Sequence, residues 1–304
     1  MLTKLVTLLL MMIFSLVSVA FLTLLERKVL GYVQMRKGPN KVGLLGLFQP
    51  FSDAVKLFTK EFFFPMKCNF YPYWLSPGLT MFISLFVWGS FPYVYLIVSW
   101  KYSFMFIFTV LSIGVYFIMI SGWFSNSSYS MLGCLRVVAQ SISYEVSFFL
   151  LVLCLLFLVK SLIIGDFLVY QSNIWMIVTV IPIFMMILIS FLAELNRTPF
   201  DFTEGESELV SGFNIEYGGT GFALIFLGEY LSILFSGMVI TMLFMGGLTF
   251  NFTSYLKILF ISLVIILVRG TLPRYRYDKL MILCWKSYLS IVLFMLIFYS
   301  SIFF

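Results

Sequence analysis

The chain contains no histidine. That absence excludes a His-ligated metal centre and a Ser-His-Asp triad. Its four cysteines, Cys68, Cys134, Cys154 and Cys284, lie far apart with no C-x-x-C spacing, which argues against an iron–sulfur or zinc site built by this chain alone. There is no G-x-x-x-x-G-K-[ST] and no G-x-G-x-x-G, so nucleotide binding by the chain is not expected. Charge is scarce too. Charged residues make up 11% of the 304 residues, less than half the share of a soluble domain, whereas hydrophobic residues reach 62%. Mean hydropathy is +1.07. No soluble fold hides that much apolar surface, because domains of this size still expose much of theirs. Lipid must be the solvent for most of the protein.

What is present fits that solvent. A ~30 Å hydrocarbon core needs ~20 residues of helix. Eight apolar runs qualify: roughly residues 5–25, 77–99, 104–122, 138–159, 174–195, 220–245, 254–268 and 280–303, the seventh being the shortest. The first reads as a retained span, since it is long for a signal peptide and has no small-residue cleavage site. Pro92 and Pro182 should bend the second and fifth spans. Trp100, Trp123 and Trp175 sit at run ends, where indole prefers the interface. Fifteen of the nineteen Lys and Arg fall in the odd-numbered loops. Those loops are therefore expected on the cytoplasmic or matrix side, with both termini opposite. The expectation is an all-α polytopic protein, one membrane domain over residues 1–304, with no internal repeat.

Two loops on the expected inner side stand out. In the first, 26–75, Gly38-Pro39-Asn40 marks a turn, and 51–61 reads as an amphipathic helix. Phe51, Ala54, Val55 and Phe58 share one face, while Asp53, Lys56 and Lys60 lie elsewhere on the wheel. That helix either lies in the membrane interface or lines a cavity. The second loop, 196–218, carries Asp201, Glu204, Glu206, Glu208 and Glu216 against Arg197 alone. Phe200, Phe202, Leu209, Val210 and Phe213 interleave with the acids, which argues against simple disorder.

Three more glutamates fall inside or at the edge of apolar runs: Glu145, Glu194 and Glu229. Such a group near the bilayer centre costs roughly 2.5–3.5 kcal/mol on insertion scales. The fifth and sixth runs hold no Lys or Arg, and the fourth has them only at its ends. These acids should therefore face a hydrated interior or hold a proton, either of which suits proton relay. Gln140, Ser141 and Tyr144 add polar groups around Glu145. Two classes stay open on physics alone: a stand-alone proton or cation transporter, and a membrane subunit of a respiratory enzyme. A transporter should show broken helices and a repeat, and no repeat is evident.

The polar strings narrow the choice. Leu24-Leu-Glu-Arg-Lys-Val-Leu-Gly-Tyr-Val-Gln-Met-Arg-Lys-Gly-Pro-Asn40, Ala193-Glu-Leu-Asn-Arg-Thr-Pro-Phe-Asp201 and Glu204-Gly-Glu-Ser-Glu-Leu-Val-Ser-Gly-Phe-Asn-Ile-Glu-Tyr217 closely resemble the subunit-1 family of mitochondrial NADH:ubiquinone oxidoreductase, respiratory complex I. Gln140-Ser-Ile-Ser-Tyr-Glu-Val146 and Pro273-Arg-Tyr-Arg-Tyr-Asp278 fit the same family. The resemblance covers nearly the whole chain, and the Phe- and Met-rich composition suits an animal mitochondrial genome.

The resemblance implies a core subunit of a proton-pumping NADH:ubiquinone reductase in the mitochondrial inner membrane, with both termini toward the intermembrane space. Ubiquinone would be the substrate, and the flavin and iron–sulfur clusters would sit on partner subunits. The partners implied are the hydrophilic subunits of the quinone site, the neighbouring membrane subunits and lipid, with no nucleic acid. By position, Arg27, Arg36, Asp53, Phe226 and Arg274 would line the quinone tunnel. Arg276 would anchor a loop, and Lys37 and Lys56 would belong to the same basic platform. Glu145, Glu194, Asp201, Glu204, Glu206 and Glu229, with Tyr144, would form the start of the proton path. Arg197 would be the loop's counter-charge and Glu26 a structural partner beside Arg27. No catalytic or metal-ligating residue is implied on this chain alone.

Overall fold

The computed structural model of the chain describes residues 2–91, 101–203, 205, 209, 212–246 and 252–303. Pro92, Trp100, Glu204, Glu206, Glu208 and Val210 lie outside the described residues. The described elements are helical throughout.

Six helices are long and apolar enough to cross a membrane. They are α1 (Leu2–Val33), α4 (Ser103–Phe124), α5 (Ser128–Val159), α9 (Gly219–Phe244), α10 (Phe252–Thr271) and a final helix. That last one is α11 (Tyr277–Ile282), a π-helical turn at Leu283–Tyr288, and α12 (Leu289–Phe303), in unbroken succession. Each contains one of the expected apolar runs. Several extend well past the run. The first continues through Glu26, Arg27 and Lys28 to Val33, and α5 begins ten residues earlier than the apolar stretch. A helix that has left the bilayer loses only its apolarity, not its hydrogen bonds, so hydropathy marks the membrane and not the helix end.

The two other expected spans differ from a plain apolar rod. The expected run 77–99 begins within α3 (Phe70–Val87), which starts seven residues earlier and is followed by a short 3₁₀ turn at Trp88–Ser90, and residues 92–99 of the run lie outside the described residues. The fifth run is broken. α7 (Met176–Thr179) stops at Val180, whose backbone is non-helical, and α8 (Ile181–Glu194) starts anew with Pro182 in its first turn. Proline lacks the N–H that would continue the ladder and clashes with the carbonyl one turn back, so it starts a helix here instead of bending one.

The loop after α1 doubles back. Gly38 packs onto α1 so closely that a Cβ there would lie 3.0 Å from the Lys28 Cα. Gly46, at φ +80°, would place a Cβ 2.2 Å from the Pro39 carbonyl oxygen. The Lys28 ammonium donates to the Leu45 carbonyl at 2.7 Å. This fold-back brings α2 (Gln49–Thr59), the expected amphipathic helix, alongside α1. None of its residues is buried, and Phe51, Val55 and Phe58 are exposed.

α9 is the central helix. Eighteen of its residues are buried, and it touches α1, α2, α3, α8 and α10. Its C-terminal end is closed by side chains. Gln171, just after α6 (Asp166–Tyr170), donates to the carbonyls of Met242 (3.1 Å) and Leu243 (2.7 Å) and accepts from the Gly246 N–H at 2.6 Å. Lys257 of α10 donates to the Met245 carbonyl at 2.6 Å and lies over the Trp175 ring. The last carbonyls of a helix have no partners of their own, and here the protein supplies them.

Candidate functional site

Glu145 on α5, Glu194 at the end of α8 and Glu229 on α9 line one cavity of about 150 Å³. The wall is mostly apolar, with Thr80 and Ser84 of α3 and Ser141 of α5 adding hydroxyls. A space of that size with several polar groups has room for a few waters. The spacing along each helix explains why these side chains point inward. Gln140, Tyr144 and Ser147 form one buried stripe at i, i+4 and i+7, and Glu145 sits at its edge, half-buried.

Gln140 is committed elsewhere than the sequence suggested. Its amide donates to the Ala193 carbonyl at 2.7 Å and to the Phe200 carbonyl at 3.0 Å, so it does not serve as a donor beside Glu145. It fixes the end of α8 and the start of the acidic loop against α5. Tyr144 is 2% exposed, and its hydroxyl faces Cys284 in the π-helical turn.

A second, smaller pocket of about 20 Å³ lies against the first. Arg197, Asp201, Phe226, Glu229 and Arg269 line it, and Asn196, Thr203 and Glu229 belong to both. Thr203 donates to the Asp201 carboxylate at 3.2 Å. Asp201, Glu229, Glu194 and Glu145 thus border two adjoining spaces, with Glu229 on the shared wall.

The expectation that all three intramembrane acids lack a basic partner fails for Glu229. Arg197 reaches it at 3.9 Å from the loop. Arg197 also donates to Glu26 at 3.3 Å, and its guanidinium lies 4.8 Å from the centre of the Tyr230 ring. Glu26 is bonded in turn by Arg269. Four parts of the chain therefore meet at one buried charge cluster: α1, the acidic loop, α9 and α10. Burial alone would lower the proton affinity of Arg197. Glu26, Tyr230 and Glu229 outweigh that and raise it, so the guanidinium stays charged. Glu26 is 4% exposed and Arg197 7% exposed, so the pairing between these two is little diluted by water, whereas Glu229 and Arg269 are partly exposed. These pairs join residues 171 and 243 positions apart. No local sequence signal could have found them, although Glu26 was marked as a structural partner.

The residues expected along the tunnel fall in several places. Arg27 and Asp53 pair at 2.5 Å, with Gln49 donating to the other Asp53 oxygen at 2.9 Å. Phe226 faces the small pocket and packs on Phe222. Arg274 lies over the Phe202 ring, with one guanidinium nitrogen buried against Gly205. Arg36 stands exposed in the fold-back loop, and Arg276 pairs locally with Asp278 at 2.8 Å on the surface. The far end of the acidic loop is held by a stack of Tyr217 on Tyr73, with centroids 4.3 Å apart. The Tyr73 hydroxyl donates to the Glu216 carbonyl at 2.6 Å. That anchor was not foreseen, because neither tyrosine stands out from the 17 in the sequence.

Among the described residues, no group of three or more His, Cys, Asp or Glu is arranged to hold a metal ion. The sequence profile of a family described as NADH dehydrogenase matches residues 6–300. The chain is similar to proteins named NADH-ubiquinone oxidoreductase chain 1 from Anopheles gambiae, at 54% identity over 97% of this chain and 94% of that one. It is also similar to those of Aedes aegypti, at 52% over the same shares, and Artemia franciscana, at 49% over 96% and 97%.

Proposed function

The chain belongs to the NADH dehydrogenase family, and we propose that it works as a core membrane subunit of proton-pumping NADH:ubiquinone oxidoreductase, where it forms part of the ubiquinone tunnel and the start of a proton path. The observation that carries the second half of this reading is the cavity. Three acids from three different helices face one space, and the third also walls the pocket that holds Asp201. An apolar cavity has no other use for three carboxyl groups, since each is expensive to bury.

The tunnel reading rests on Arg27, Arg36, Asp53, Phe226 and Arg274. The Arg27–Asp53 pair ties α2 to α1, and α2 also packs on α9, the helix that carries Phe226. A quinone with its apolar tail needs an apolar passage ending at polar groups. α1, α2 and α9 together offer Phe51, Val55 and Phe58 on one side and the Asp201–Phe226 pocket on the other. Electrons would reach the quinone from flavin and iron–sulfur clusters held by partner subunits. With α3 and the α7–α8 pair counted as crossings the reading has eight spans and both termini on one side, and the Lys/Arg bias of the loops supports the intermembrane-space side of the mitochondrial inner membrane.

In the proposed path a proton passes along Asp201, Glu229, Glu194 and Glu145, with Glu204 and Glu206 at its loop end. Each acid in turn holds and releases it, and waters in the cavity bridge the gaps. Tyr144 stands beside Glu145 at the inner end. The test uses fully assembled complex carrying Glu229→Gln, Glu194→Gln or Glu145→Gln. Glutamine keeps the shape and the hydrogen-bond capacity while removing the exchangeable proton. Quinone reductase turnover and membrane-potential formation should fall together. Wild-type values for all three variants would leave the path without support.

A further inference from the structure

The wall of the larger cavity carries hydroxyls that spend their hydrogens elsewhere. Thr80 and Ser84 stand one turn apart on α3, Ser141 lies one turn before Glu145 on α5, and Ser232 lies one turn after Glu229 on α9. All four are partly exposed. Each donates to a carbonyl three residues back in its own helix: Thr80 to Pro77 at 2.8 Å, Ser84 to Met81 at 2.8 Å, Ser141 to Val138 at 2.9 Å and Ser232 to Glu229 at 2.6 Å. A hydroxyl has one hydrogen and two lone pairs. With the hydrogen committed, these four offer the cavity acceptors only. Ser190 and Ser236 make the same bond but are 1% and 2% exposed, so they are closed to the space.

Helix stability does not call for these hydroxyls. One that bonds back onto its own helix slightly weakens and bends that helix, and alanine is the better helix former. Each of these bonds also stays within one helix, so none ties two helices together. α3 approaches α9 at Gly228, where a Cβ would lie 3.6 Å from the Ser84 hydroxyl oxygen and 3.6 Å from the Thr80 carbonyl oxygen. That approach sets the two α3 hydroxyls beside the residue that precedes Glu229.

We propose that Thr80, Ser84, Ser141 and Ser232 are positioning residues that hold water in the cavity with a hydrogen toward the wall and a lone pair toward the acids. This rests on the proton-path reading above. A water that donates one hydrogen to such a hydroxyl keeps a lone pair for the proton of one carboxyl group and its other hydrogen for the next carboxylate. It takes one proton and gives another, so the water is restored, and the hydroxyl keeps its own hydrogen throughout. A wall hydroxyl that donated into the cavity would occupy the lone pair that has to receive the proton.

The experiment measures NADH:quinone turnover in intact complex, in light and in heavy water. Thr80→Val keeps the side-chain shape and removes the hydroxyl, whereas Thr80→Ser keeps the hydroxyl and removes a methyl group. Ser84→Ala, Ser141→Ala and Ser232→Ala remove the other three one at a time. Ser262→Ala is the control: this buried α10 hydroxyl makes the same kind of bond, to Leu259, away from the cavity. Turnover should fall about two- to tenfold in Thr80→Val and in the three cavity alanine variants, the rate equivalent of one lost hydrogen bond. Their light-to-heavy-water rate ratio should rise, because proton transfer then limits the rate. Thr80→Ser and Ser262→Ala should keep both wild-type values. A merely structural defect lowers turnover without raising that ratio, and this outcome overturns the proposal. So does wild-type turnover in Thr80→Val and the cavity alanine variants beside an impaired Glu229→Gln. Full turnover in Glu145→Gln, Glu194→Gln and Glu229→Gln would overturn the proton-path reading and this proposal with it.

Discussion

Gln140 donates its side-chain amide to the carbonyl of Ala193 at 2.7 Å, one residue before Glu194. The same amide bonds the Phe200 carbonyl, one residue before Asp201. One uncharged side chain thus sets the positions of two acids that the proposed path depends on.

Gln140→Leu should therefore destabilise the site more than its volume change suggests. It removes two buried hydrogen bonds, worth about 0.5–1.5 kcal/mol each, although the Ala193 and Phe200 carbonyls keep backbone donors in Asn196 and Phe202. Thermal inactivation of quinone reductase in the assembled complex should occur at clearly lower temperature. An inactivation curve that overlays wild type would mean the two bonds contribute nothing.

The three glutamine variants of the intramembrane acids should not be equal. Glu229 walls both pockets and Glu194 lies next to the loop, so Glu229→Gln and Glu194→Gln should be the most damaging. Glu145→Gln should be milder but still reduce turnover. Ranking initial rates in the same membranes tests the order, and a larger defect in Glu145→Gln would reverse the assumed direction of the path.

Tyr217→Phe separates the ring stack from the hydroxyl. Burial raises the Tyr217 phenol well above its ordinary value, so it stays a neutral donor at every working pH. It is in contact with the Ser76 hydroxyl at 3.1 Å and donates to the Tyr73 carbonyl at 3.2 Å. Losing these should cost about 1 kcal/mol, with no change in pH profile, while Tyr217→Ala should lose the stack as well and be clearly worse. Equal melting of the two variants would show that the stack carries no weight.

Phe58→Asp places a charge on the exposed apolar face of α2. Quinone-dependent turnover should drop, while NADH oxidation by a hydrophilic artificial acceptor stays intact. Loss of both activities together would point to failed assembly.

Tags at residues 1 and 304 should be protected from protease in vesicles that expose only the matrix face. Digestion of either one there would overturn the eight-span count or its orientation.

Much of this architecture was legible because lipid imposes a single rule. Six apolar runs became six long helices, and the pattern Phe51, Ala54, Val55, Phe58 became α2 within two residues of its expected ends. Acids in apolar runs were legible for the same reason, since few forces other than function keep them there. Hydropathy failed where backbone geometry decided. It could not see that Pro182 starts a helix, nor that α5 continues ten residues beyond its apolar part. It also missed every partnership made across the fold. The Glu26–Arg197–Arg269 cluster and the Gln140 bonds join segments whose nearness exists only once the helices have packed.

The closure of α9 by Gln171 and Lys257 bears on bilayer thickness. A helix that ends in bare carbonyls must reach headgroup water, so its length is dictated by the membrane. When side chains satisfy those carbonyls, the helix can end at whatever depth its neighbours set. α8 alone, with 14 residues and a rise of about 21 Å, is shorter than a ~30 Å core and would cross it only together with α7. At the end of α9 the protein is thus less dependent on hydrophobic matching. The height of Glu229 and Glu194 in the membrane is fixed by protein contacts and should not drift when lipid composition thickens or thins the bilayer.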